Sequence, residues 1–335
     1  MRWNNGFKAR YYITRVDPIT WRDVETYEIT GGYITKRQSD TMETAAVDMT
    51  QIPFQGEKWI RIWLDARQTG GGTREALFTG LASVPGVNWE GYRKEYMLEC
   101  YSVLKPAADV LLQSGWYAQA GMNGGRIAAE LLSIGAAPVI CDENAPALSN
   151  TIIAEKKESR MSMAKKILTA IGWRVRISGR GEISICPRAS SPVATFDALE
   201  NDILETEITD KRDLFSVPNV IRITSRGATV TIRDEDPDSA FSIENRGREV
   251  WKEETTSALS NGESLGEYAK RRLKEEQQPA RICSYARRFY PDVYPGDIIR
   301  LNYPAQDIDG DFTVDTQRID LEFAARTSES VLWQR

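Results

Sequence analysis

The chain has 335 residues, 41% hydrophobic and 27% charged, with a formal net charge of −5, enough for two or three domains with cores of their own. It has no histidine and four cysteines, none in a C-x-x-C pair, which excludes histidine-dependent nucleophile systems, imidazole metal sites, zinc knuckles and dithiol redox motifs. No apolar run approaches the ~20 residues of a membrane span. The opening MRWNNGFKARYYITR carries no apolar signal core, so folding in a cytoplasm, with all four cysteines as free thiols, is the expectation.

Residues 1–104 read as β. Ala45, Val47 and Met49 alternate with Ala46, Asp48 and Thr50, Ile60, Ile62 and Leu64 with Arg61, Trp63 and Asp65, and Tyr96, Leu98 and Cys100 do the same. Turn signals stand at Gly31-Gly32, Gln55-Gly56, Gly70-Gly71-Gly72 and Pro85-Gly86. From Lys105 the pattern changes. Gly124–Leu132 and Arg160–Ile171 read as helices, the second with Ala164, Ile167, Leu168 and Ile171 on one face and Gly172 as its stop. Trp173, Val175 and Ile177, a turn at Ser178–Gly181, then Ile183 and Ile185 make a hairpin. From about Asn201 strands return: Val220, Ile221 and Ile223, then Val230 and Ile232, with an acidic turn at Asp234–Asp238. Ser264 and Glu267 have the spacing of a capping box for a helix near 264–278. Closing strands follow, with turns at Pro295-Gly296 and Asp309-Gly310 and an apolar phase shift that a bulge near Gln317 accounts for.

Chemistry finds little footing. Gln68–Thr73 is glycine-rich but lacks the Lys-Ser/Thr of a phosphate loop and reads as a hairpin tip. Gly121–Gly125 reads as a loop into a helix. Asp307–Asp311 begins like a calcium loop, yet Phe312 and Arg318 stand where glycine and glutamate are needed. Asp234, Glu235, Asp236 and Asp238 read as a solvated acidic turn. Glu205, Glu207 and Asp210 are close enough in sequence to be weighed as a glycosidase pair. The nine tryptophans form no single stripe.

Three stretches carry a resemblance. Glu28–Thr35 leads through Asp40 into Ala45–Met49; Asp234–Arg248 reads DEDPDSAFSIENRGR; Ser264–Leu321 gives a capped helix and three strands. Together they resemble the central baseplate hub proteins of contractile phage tails and phage-like particles, over nearly the whole chain. The fold expectation is α+β, mainly β: two tail-tube-like β-barrel domains at 1–104 and 201–335 with an α+β insertion at 105–200. The resemblance implies a homotrimeric ring that adapts a sixfold tail tube to a threefold spike, contacts tube, spike and other baseplate proteins, and surrounds a channel through which DNA passes without specific binding. The implied location is the virion tail, assembled in the host cytoplasm, with no membrane insertion, no enzyme activity, no catalytic or metal residues and no cofactor. Residues 1–104 hold 13 basic and 13 acidic groups, 105–200 hold 11 and 9, and 201–335 hold 19 and 26. That balance fits a channel that does not retain phosphate. The alternatives are a tail-associated cell-wall glycosidase and a carbohydrate- or receptor-binding module.

Overall fold

The computed structural model describes residues 3, 5–38, 43–51, 54–91, 93–197, 208–212, 214–225, 227–256, 264–277, 281–322 and 325–333. The chain is α+β and mainly β. It divides into two compact units, the first comprising 1–208 with 284–335, the second 209–283.

In the first unit the strands β1 (Lys8–Val16), β2 (Asp23–Glu28), β3 (Gly31–Arg37), β4 (Thr44–Met49), β5 (Lys58–Gln68), β6 (Gly71–Glu90) and β7 (Arg93–Ser102) open the chain. The insertion follows as α1 (Lys105–Asp109), β8 (Tyr117–Ala118), α2 (Gly124–Leu132), β9 (Val139–Cys141), β10 (Ile152–Ile153), α3 (Arg160–Ala170), β11 (Trp173–Ile177) and β12 (Ile183–Pro187). β13 (Pro192–Asp197) completes this stretch. The second unit holds β14 (Thr209–Arg212), β15 (Val220–Ser225), β16 (Ala228–Arg233), α4 (Ile243–Arg246), β17 (Trp251–Thr255) and α5 (Leu265–Glu276). β18 (Arg281–Arg287) leads back to the first unit, which ends with β19 (Ile298–Tyr303), β20 (Ile308–Asp320) and β21 (Thr327–Trp333).

The large sheet of the first unit runs β18-β21-β20-β3-β4-β7-β6-β5-β1-β2. β20 joins the ends of the sequence. Its first half pairs antiparallel with β19, and Thr316–Asp320 pair antiparallel with Arg37–Tyr33 of β3. Ile13, Ile34, Val47, Ile60, Ile62, Leu64, Phe78, Leu98, Ile319 and Leu321, drawn from β1, β3–β7 and the end of β20, share one buried cluster. The sheet therefore coils around a single core, while its strand path keeps two ends and closes no barrel among the described residues. Burial of such side chains stabilises by ~1.5–3 kcal/mol each.

The expected helices, the 173–185 hairpin and the Gly70 hairpin tip are present. In α3, Ala164, Ile167 and Leu168 are buried and pack with Leu104, Ile127, Leu131, Leu132, Trp173 and Ile183 in a second core that belongs to the insertion. Pro295-Gly296 does turn the chain: Gly296 has φ 83° and the Asp297 N–H donates to the Tyr294 carbonyl at 3.0 Å, the form of a type II turn.

Two local readings are corrected. Pro85-Gly86 is no turn, because β6 runs through it with a register shift between Ser83 and Gly86, a bulge that accommodates proline. Asp309-Gly310 lies inside β20 opposite Asn302 and Leu301; the turn is the short 3-10 segment Pro304–Gln306, closed by Asp307 in the left-handed region. The bulge read near Gln317 is present, as a register shift of β20 against β21 between Val314 and Thr316.

In the second unit β15 pairs antiparallel with β16 and parallel with β17. α5 covers this sheet with Tyr268, Ala269 and Leu273 on Ile221 and Ile223. The capping box is formed as read: Ser264 Oγ accepts from the Glu267 N–H, and Glu267 Oε2 accepts from the Ser264 N–H at 2.9 Å. Ser264→Ala removes this cap and is expected to cost about 1 kcal/mol. The check is faster amide exchange in the first turn of α5, with amides of the first unit unchanged.

Candidate functional site

The residues weighed for chemistry disperse. Asp210 is held by the Arg281 guanidinium at 3.1 Å, and Glu205 and Glu207 lie outside the described residues, as does Asp40. Asp309 and Asp311 pair with Arg300 at 3.0 and 3.4 Å. In the acidic turn Asp234 is buried and accepts from Ser239 Oγ at 2.6 Å and Gln277 Nε2 at 2.5 Å. The described residues contain no group of three or more His, Cys, Asp or Glu placed to hold a metal ion. Gly121–Gly125 leads into α2, where the Asn123 side chain caps the Arg126 N–H at 2.9 Å.

All four cysteines are free thiols. Burial, helped by the Asp210 charge, pushes the Cys283 thiol up to about 11, and burial drives Cys100 higher still. Trp89 and Trp251 are the exposed tryptophans among the described residues. Each is covered by cations, Lys94 on Trp89 and Arg222 with Arg233 on Trp251, rather than paired into a flat sugar platform.

What the first unit does assemble is a joint between the insertion and the large sheet. The turn Ser178–Gly181 at the tip of the β11–β12 hairpin is pressed onto β5 and β6. Thr79 Oγ1 donates to the Gly179 carbonyl at 2.7 Å; Arg61 Nη2 and Trp21 Nε1 donate to the Arg180 carbonyl at 3.1 and 3.0 Å. Arg61, 5% exposed, also donates through Nε to Thr79 Oγ1 at 2.9 Å and through Nη1 to Asp23 at 2.7 Å. β5 is thus buried on both faces, Ile60, Ile62 and Leu64 in the core and Arg61 and Trp63 beneath the insertion. Strand alternation sets Arg61 and Trp63 on the face opposite Ile60, Ile62 and Leu64, the face the insertion covers.

On the same hairpin, Arg174 is ion-paired with Asp297, and Arg176 lies 4.5 Å from the Tyr294 ring centroid with an Nη2 3.8 Å from Asp297. Burial pushes the Tyr294 phenol up to about 12. Lys36 Nζ sits 4.9 Å from the centroid of the same ring and 3.6 Å from Glu43 in a nearly water-free pair. Loss of contact with water pushes the Glu43 carboxyl upward, against the pull of Lys36.

The sheet also has open edges. β2 pairs only with β1 and β13 only with β19 among the described residues. Carboxylates on β2 are tied back to β1, Glu25 to Arg15 at 2.8 Å and Glu28 to Arg10. Charge of this kind on an edge discourages indiscriminate strand pairing.

No protein-family model and no curated protein matches the sequence. Solved structures do. The tail protein from Neisseria meningitidis is similar at TM-score 0.69 and 15% identity, covering 96% of each chain. The 43 kDa tail protein of prophage MuSo2 from Shewanella oneidensis is similar at TM-score 0.66 and 12% identity, over 96% of this chain and 97% of that one. A chain of the half-lidded Francisella PdpA-VgrG complex is similar at TM-score 0.55 and 9% identity, over 99% of this chain and 59% of that one. The likeness runs end to end through sheet, insertion and second unit, and on that ground the chain has the fold of phage tail proteins.

Proposed function

We propose that the protein is a structural component of a phage or phage-like tail, and specifically the baseplate hub. The observation that carries this reading is the end-to-end likeness to two tail proteins, each covered over at least 96% of its length. In this role the β regions 1–104 and 201–335 act as two tail-tube-like modules separated by the insertion 105–200, each module a barrel completed on assembly. Three copies form a ring carrying six such modules, which matches a sixfold tube on one side and a threefold spike on the other. A heterologous contact repeated by a closing rotation gives such a ring, and the open edges at β2 and β13 are strands that a neighbouring copy can extend.

The ring surrounds a channel for DNA, and its partners are tube, spike and other baseplate proteins in the virion tail, assembled in the host cytoplasm. The role is mechanical and needs neither cofactor nor catalysis. Charge supports fast transit more narrowly than composition suggested. Several carboxylates of 201–335 are neutralised by arginine or lysine, such as Glu253 with Arg222, Glu254 with Arg272 and Glu276 with Lys252. The exposed acids Glu235, Asp236 and Asp238 remain as a local repulsive patch for phosphate.

Location tests the reading. Gold-labelled tagged protein in purified particles is expected at the distal tip of the tail. Label on the head or along the whole tail would overturn it.

A further inference from the structure

The segment between β14 and β15 presents two apolar side chains to water. Phe215 is 83% exposed and Leu214 49%, and neither lies in a helix or strand. A scattered exposed leucine is ordinary; a segment clamped so that it stays exposed is not. Arg246 donates through Nη1 to the Val217 carbonyl at 2.5 Å and through Nη2 to the Leu214 and Phe215 carbonyls at 3.0 and 3.1 Å. Arg248 donates through Nη2 to the Phe215 carbonyl at 2.9 Å. The two guanidiniums converge on one carbonyl because Gly247, at φ 62°, turns the chain between them at the end of α4. The Ser242 side chain caps the start of that helix, accepting from the Asn245 N–H at 3.2 Å. A knob whose backbone is already fixed loses little freedom on binding, which is the property of an interface anchor.

Charge indicates what covers the knob. Lys211 and Arg212, exposed at the end of β14, and the clamping Arg246 and Arg248 pair with no carboxylate among the described residues. An apolar tip rimmed by such cations fits an apolar surface that carries uncompensated carboxylates. The same chain offers one on its insertion. β9 is an open edge of the sheet β11-β12-β9, and Ile140 at its centre is 53% exposed. Asp142 and Glu143 follow it, both exposed and paired with no cation among the described residues.

We propose that Leu214 and Phe215 of one copy seat against Ile140 of a second copy of this chain, with Lys211 and Arg212 facing Asp142 and Glu143. The contact joins two different patches, so it is heterologous, and repeating it about a closing rotation gives a ring. It rests on the three-copy reading above and names the residues that would hold such a ring together.

The test follows assembly of the full chain by light scattering, recording the concentration at which the trimer is half dissociated. Phe215→Ser, at an exposed position, is expected to keep the urea midpoint of the wild type and to raise that concentration at least about tenfold. Lys211→Glu with Arg212→Glu is expected to raise it by about tenfold as well. Adding Glu143→Lys to that charge-reversed chain is expected to win back about threefold. Asp142 is left in place, because its carboxylate holds the local turn by accepting from the Asn144 N–H at 2.9 Å. A Phe215→Ser chain that assembles like the wild type overturns this contact and leaves the ring standing. No recovery on adding Glu143→Lys overturns the β9 edge as the covering surface. A wild-type chain that is monomeric throughout overturns the contact and the ring together.

Discussion

Replacing Glu329 by alanine is expected to destabilise the protein by about 3–5 kcal/mol, the cost of stranding a buried charge. Glu329 and Arg287 have side chains with no exposed surface. Oε2 accepts from Arg287 Nε and from the Tyr285 hydroxyl, both at 2.8 Å; Oε1 accepts from Arg287 Nη2 at 2.5 Å and Gln317 Nε2 at 2.8 Å. Arg287 spends its remaining nitrogen on the Arg288 carbonyl at 2.9 Å. This network ties β18, β20 and β21 together where the sheet must hold its register. Removing the carboxylate leaves a guanidinium in the core with no route to water. Urea denaturation should show the midpoint falling sharply for Glu329→Ala and for Arg287→Ala. The double variant Arg287→Met with Glu329→Leu should recover most of the loss, because it removes both charges and keeps their volume. Single variants within about 0.5 kcal/mol of wild type would show that the pair is not buried as described.

The second large effect is expected at Gly179. A Cβ there would stand 1.7 Å from the Ala76 carbonyl oxygen and 2.5 Å from its carbon, both backbone atoms of β6. Neither can give way without breaking the strand, so Gly179→Ala must lift the hairpin tip off the sheet. The lift loses the Thr79 bond to Gly179 and the Arg61 and Trp21 bonds to Arg180, and it leaves Arg61 poorly paired. Overpacking and lost hydrogen bonds together are expected to cost about 3 kcal/mol. A second readout separates undocking from general instability: trypsin should cleave after Arg180 in the variant under conditions that spare the wild-type chain. Thr79→Val, which removes the bonds to the Gly179 carbonyl and from Arg61 Nε without a clash, should lie between the two. A Gly179→Ala protein as stable and as protease-resistant as wild type would refute the joint.

Local features were legible in the sequence, and pairing was not. Ser264 with Glu267, Gly172 after α3, Pro295-Gly296 and the face of Ala164, Ile167 and Leu168 depend on residues within a turn or two of one another, and all are present. Asp309-Gly310 failed as a turn because its hairpin signal was outweighed by β19, which holds both residues in register. Pro85-Gly86 failed because a bulge lets a strand carry residues that otherwise end it. The meeting of β3 with β20, nearly 300 residues apart, has no local signature. Nor has the second covering of β5: Arg61 and Trp63 look like an outward face until the insertion lies on them. Arg174 and Arg176 alternate with Trp173, Val175 and Ile177 along the hairpin, and only its packing brings them to Asp297 and Tyr294. The resemblance to phage hubs agreed with the fold because it rested on layout along the whole chain rather than on any one motif.

The proposed ring of three copies is tested most directly by the mass of the purified protein in solution. Light scattering across a dilution series is predicted to give a stable species near three times 37.8 kDa. A monomer at every concentration would contradict a self-closing ring.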